Sequence, residues 1–186
     1  MNSLRLLFTL AVLSMMSLAT STRAADLVDN PTYQSWASHK PGTTVHLQQQ
    51  MNVGGMSMNH EITETLKEVT PDKATIEYAI VMDIGGQKHE QKNTQSIPAK
   101  IEKGQEQMPP NMKGTVKDAG SEKVEAGGKS YDCKVLEFTG ESPHGKSSGK
   151  MWRSDDIPGD LVKMEMKIEG KMQGTITMTA TSVEIK

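Results

Sequence analysis

The sequence predicts a mainly β protein: a curved antiparallel sheet or partly closed barrel of about eight or nine strands, with one short N-terminal helix. A β-sandwich is the alternative arrangement of the same strands. Three observations carry this. From Val45 onward, apolar residues recur at every second position, the period of a half-buried strand. Gly-Gly pairs at 54–55, 85–86 and 127–128 separate alternating runs, as tight hairpins require. Only the stretch opened by Asn30-Pro31 carries helical spacing.

The chain begins with a targeting pattern. Arg5 supplies a positive start, Leu6 to Leu18 a short apolar run, and Thr22-Arg23-Ala24 small residues for cleavage before Ala25. Residues 1–24 are therefore expected to be a signal peptide, too short and too weakly apolar for a membrane span. Residues 25–186 are expected to form a single exported domain, periplasmic or secreted. No later stretch is apolar enough to span a bilayer. The formal net charge is −2, and losing Arg5 and Arg23 makes the remainder more acidic. That balance argues against nucleic acid as a partner, which calls for a basic face.

Asn30 suits an N-cap and Pro31 the first helical position. Tyr33, Trp36 and Ala37 then share one face, and Pro41-Gly42 ends the helix. Val45, Leu47, Met51 and Val53 form the first strand face before Gly54-Gly55. Met56, Met58, His60, Ile62 and Leu66 return on the next, and Pro71-Asp72 turns the chain. Ala74, Ile76, Tyr78, Ile80, Met82 and Ile84 make the clearest inward row. A polar, edge-like stretch follows from Gln87 to Gln95. Residues 104–121 hold Pro109-Pro110 and several glycines, and are expected to be a long loop. The second half resumes at Val124, turns at Gly127-Gly128, and runs through Tyr131 to Thr139. Val162, Met164, Met166 and Ile168 alternate with Lys163, Glu165, Lys167 and Glu169. A Thr-rich strand from Gly174 to Ile185 closes the chain.

The interior is short of aromatics. The chain has 14 Met against 2 Trp, 3 Tyr and 2 Phe, so thioethers must fill space that rings usually fill. Cys133 is the only cysteine, which excludes an intrachain disulfide. It sits between Tyr131 and Val135 at strand spacing and reads as a buried thiol.

Gly140-Glu-Ser-Pro-His-Gly-Lys-Ser-Ser-Gly149 matches two catalytic patterns. One is the phosphate-binding G-x-x-x-x-G-K-[ST]; the other is the nucleophile elbow G-x-S-x-G. Both need a strand-to-helix turn in an α/β unit, and the chain shows no alternating βαβ pattern. The elbow also needs a later His, and none follows His144. The stretch is expected to be a hairpin tip with Lys146 and Ser147 in water. With no catalytic constellation left, the protein is expected not to be an enzyme, and no cofactor is expected. Met56, Met58 and His60 offer thioether and imidazole groups of the kind that suit Cu(I). A periplasmic copper-binding protein is therefore the alternative reading.

Met151-Trp-Arg-Ser-Asp-Asp-Ile-Pro-Gly-Asp-Leu-Val-Lys-Met-Glu165 resembles a pattern found in an uncharacterised family of exported bacterial β-rich proteins. The Asn30-Pro31…Trp36…Lys40-Pro41-Gly42-Thr43 opening is similar to theirs too. More distantly, residues 151–169 resemble the LolA/LolB-like periplasmic lipoprotein carriers. That resemblance implies an unclosed barrel with a helical plug that holds acyl chains; it transfers no site residue.

The expected function is a non-enzymatic exported β-domain that binds an apolar or acyl ligand in a Met-lined concavity. Its partner would be an apolar small molecule or lipid. The expected lining is Val45, Leu47, Met51, Ile76, Tyr78, Ile80, Met82, Trp152, Val162, Met164, Met166 and Ile168.

Overall fold

A computed structural model describes residues 26–84, 87–104, 113–142, 145–170 and 173–186. The leader expected at 1–24 lies outside these residues, as do Gly85 and Gly86. The elements run β1 (Leu27–Asp29), α1 (Pro31–Ala37), β2 (Thr44–Val53), β3 (Met56–Val69), β4 (Lys73–Ile84), β5 (Gln87–Pro98) and β6 (Lys100–Glu102). They continue with β7 (Lys113–Ala126), β8 (Lys129–Ser142), β9 (Gly145–Arg153), β10 (Leu161–Glu169) and β11 (Gly174–Glu184).

Nine strands form one sheet in the order β5-β4-β3-β2-β11-β10-β9-β8-β7, and every neighbouring pair is antiparallel. Each pair except β2–β11 is consecutive in sequence. The chain thus lays β2 in the middle, builds outward to β5, and returns from β7 until β11 closes on β2. The sheet ends on β5 and β7 without joining them, so it is an open curved sheet and not a closed barrel. Register shifts at Leu66/Glu68, Asp118/Ser121, Leu161/Lys163 and Ala180/Ser182 interrupt the ladders and add twist. At its far end β7 meets β10 and β11. There the β7–β8 turn lies so close to β11 that a Cβ on Gly127 would stand 2.3 Å from the Thr181 carbonyl oxygen. A small second sheet pairs β1 with β6 antiparallel; it tethers the entry to α1.

The helix forms as its caps dictate. The Asn30 side chain accepts from the Thr32 N–H, and Pro31 takes the first helical position. Asn30 Nδ2 also donates to Pro98 O at 2.8 Å, which fixes the helix start to the end of β5. Trp36 is buried to 1% exposure and joins a cluster with Val45, Leu47, Ile62, Leu66 and Ile76. This defines the inner face of the sheet as the one that α1 covers.

Two expectations change. The loop expected over 104–121 does not reach 121, because Lys113 to Ser121 belong to β7. The glycines that suggested turns serve the strand. A Cβ at Gly114 would lie 1.9 Å from Thr139 O. Gly120, at φ 96°, sits in the β7 bulge, where its N–H donates to the Asp118 carboxylate at 2.8 Å. Ser147 is also not in water: it is 5% exposed and faces Ile168 across β10, while Lys146 is exposed. The residues from Gly145 to Arg153 are strand, so neither catalytic pattern has the helix it requires.

Gly149 shows how tightly β9 and β10 approach. A Cβ there would stand 2.0 Å from Glu165 O and 2.8 Å from the tip of the Phe138 ring, which lies over the bare backbone. Gly149→Ala is expected to cost about 1–3 kcal/mol through overpacking, read as a lower denaturant midpoint at unchanged slope.

Candidate functional site

Cross-strand partners share a face, so the registers show what the inner face carries. One row crosses seven strands: Val116, Phe138, Gly149, Met166, Ile176, Met51 and Met58. The next row towards α1 holds Leu136, Met151, Met164, Met178, Gln49, His60 and Met82. Its polar pair closes on itself, with His60 Nδ1 and Gln49 Oε1 3.1 Å apart. A third row holds Ala180, Leu47, Ile62 and Ile80; a fourth holds Val183, Val45, Glu64 and Tyr78.

On β2, β3 and β4 burial falls along this series, whereas Leu136 and Phe138 of β8 are 1% exposed, and Met151 and Ile176 are buried, in the two rows furthest from α1. Leu66, Ile76 and Val45, at the helix end, are 1% exposed or less. Tyr78, Ile80, Met82, Met51, Met58, Met164, Met166 and Met178 are only half-buried. The helix seals one end of the face, and a strip of thioethers and branched chains stays in partial contact with solvent at the other. Unbranched thioethers adapt to irregular apolar shapes better than rings or β-branched chains do.

The segment between β9 and β10 clamps the sealed end. Ser154 N donates to Asp160 O, and Asp160 N to Ile157 O, at 2.9 and 2.8 Å. Ile157 is fully buried, and the Ser35 hydroxyl donates to its carbonyl at 3.1 Å. Gly159, at φ 80°, lies under the indole of Trp36: a Cβ would stand 2.8 Å from Trp36 Nε1. Arg153 grips Asp160 through both carboxylate oxygens and also donates to Thr32 Oγ1 of α1 at 3.2 Å. The Trp-x-Ser-x-x-Ile-Pro-Gly segment singled out in the sequence is therefore the fastening of the helix to the sheet.

Sequence reasoning passed over Glu64. It stands on the inner face between Ile62 and Leu66, with Val45 and Tyr78 as cross-strand partners. Burial, helped by the negative charge of Asp160, pushes its carboxyl from an ordinary 4.5 up to about 7. Burial and Glu64 together raise Tyr78. Asp160 is also raised by burial, and Arg153 opposes that shift. The signal was present in the sequence: Glu64 occupies an inward position in the run Ile62-x-Glu64-x-Leu66.

Val45, Leu47 and Ile76 lie in the main core cluster with Tyr78 and Ile80 packed against them, whereas Met164 and Met166 pack against a second cluster of Leu136, Phe138 and Met151; Met51 and Met82 are half-buried on the same register rows. Ile168 lies at the rim of the inner face, opposite Ser147 and Gly174. Val162 is fully buried in the main cluster beside the β10 bulge. Trp152 is buried in the main core cluster with Trp36, Val45 and Val135, apart from the methionine row. It pairs with Val135 and Lys163, on the face opposite Met151 and Met164. There Lys163 Nζ lies 4.8 Å from its ring centroid, and its Nε1 donates to Glu122 at 2.6 Å. Of the alternative copper ligands, Met56 is 64% exposed at the β2–β3 turn, while Met58 and His60 are half-buried and His60 Nδ1 is engaged by Gln49.

No family model and no curated relative matches the chain. Solved structures do. A protein with a YmcC-like fold from Bacteroides fragilis aligns at 8% identity and TM-score 0.44, covering 78% of this chain and 97% of its own. MucB, solved with MucA(peri), aligns at 15% identity and TM-score 0.46, covering 84% of this chain and 55% of its own. A domain from Vibrio parahaemolyticus described as outer membrane lipoprotein-sorting aligns at 10% identity and TM-score 0.32, covering 82% and 89%. At such identities and TM-scores these structures transfer no residue's role to this chain.

Proposed function

We propose that this is an exported, non-enzymatic β-domain that binds an apolar or acyl ligand against the half-buried part of its inner face. The observation that carries this reading is the set of half-buried methionines, Met166, Met51 and Met58, on one cross-strand row. Apolar surface that stays in partial contact with solvent is a mark of a binding site. The face has the parts such a site needs: a closed end under α1 and adaptable side chains at the open end. Among the described residues no helix is long and apolar enough to cross a membrane, which suits a soluble carrier.

The direct check is native mass spectrometry of protein purified from the exported fraction, with organic extraction of whatever it carries. The expected result is a bound species of lipid mass that extraction removes. A protein that emerges without lipid and stays unliganded after incubation with lipid extract would overturn the reading.

A further inference from the structure

Glu64 gives the proposed ligand a polar requirement. Its carboxylate lies on the inner face among Ile62, Leu66, Val45 and Tyr78. The charged and titratable groups that face it are Tyr78 from β4 and Asp160, with its partner Arg153, from the β9–β10 segment; β2 presents only Val45. Arg153 donates to Asp160 and Thr32. No hydrogen bond from a described residue reaches the Glu64 carboxylate, and the charge of Asp160 repels it. Yet no sealed side-chain oxygen in the described residues lacks a partner, so the Glu64 oxygens must reach accessible space. The half-buried strip of Tyr78, Ile80 and Met82 leads away from it.

We propose that the ligand of the inner face carries a cationic, hydrogen-bond-donating head, of the ammonium class, that seats on the Glu64 carboxylate while its apolar chain lies along the strip towards Met82. The inference rests on the apolar-ligand reading and adds the head group to it. A donor cation supplies a partner that no described residue supplies, and in an apolar setting such a charge-assisted bond is strong. A carboxylate-headed chain of equal length meets repulsion at the same place.

The test is displacement of the fluorescent apolar probe N-phenylnaphthylamine by decylamine, decanol and decanoate, using the full exported chain. At pH 8, where Glu64 is ionised, decylamine is expected to bind at least about tenfold tighter than decanol, with decanoate weakest. Glu64→Gln removes that preference, while decanol still displaces the probe. Tyr78→Phe, which keeps the carboxylate, retains it. At pH 5.5 the wild-type preference collapses. Equal binding of amine and alcohol by the wild type, or a preference that survives Glu64→Gln, overturns the head-group assignment and leaves the apolar-ligand reading standing. Failure of all three chains to displace the probe overturns both.

Discussion

Trp36→Ala is expected to destabilise the protein by about 3–5 kcal/mol, the cost of emptying a fully buried aromatic site. The reason lies in the length of α1. Seven residues cannot hold a helix in water on their own, so α1 exists because of what it touches. Asn30 caps it and ties it to Pro98, Tyr33 donates its hydroxyl to Thr70 O at 2.7 Å, and Ser35 reaches Ile157 O. Trp36 provides the apolar contact, held between the sheet and the backbone of Gly159. Removing the indole leaves a cavity that the glycine backbone cannot fill. Denaturant unfolding would show the loss as a lower midpoint. A change below about 1 kcal/mol would mean that the helix is not anchored as described.

The second large effect is a pH dependence. The folded protein holds a proton on Glu64 up to about pH 7, whereas the unfolded chain releases it near 4.5. Below 4.5 both states are protonated and the group contributes nothing. Between 4.5 and about 7 only the folded state keeps the proton, so stability falls as pH rises. Above about 7 the full cost is present, about 3 kcal/mol by linkage. Glu64→Gln removes that slope. The variant is therefore expected to gain about 3 kcal/mol over wild type between pH 4.5 and pH 8. A wild-type-to-variant difference that stays flat over this range would contradict a buried Glu64.

Much of this architecture was legible in the sequence because period-two alternation and turn glycines act locally. Asn30-Pro31 marked the helix start to the residue, and the inward parity of Val45, Leu47, Ile76 and Ile80 matched their burial. What escaped depends on pairing. Gly114 and Gly120 signal turns in a linear reading, but one permits a close backbone approach and the other a bulge inside β7. Trp152 reads as a companion of Met164, but the register shift between Leu161 and Lys163 sets it on the opposite face. Ser147 reads as solvated and is buried because Ile168 lies opposite. Glu64 escaped because an acidic residue in a strand is normally taken as solvent-facing. Only its cross-strand neighbours, Val45 and Tyr78, show that it lies inside.

The open part of the inner face is expected to take an apolar chain. The most direct measurement is titration of the purified protein with the uncharged probe N-phenylnaphthylamine, for wild type and a Met51→Glu, Met166→Glu double variant that retains the wild-type circular dichroism. Wild type is expected to show saturable, single-site uptake that decanol displaces, and the double variant to lose it. Absence of saturable uptake by folded wild type, or equal uptake by both proteins, would contradict this expectation.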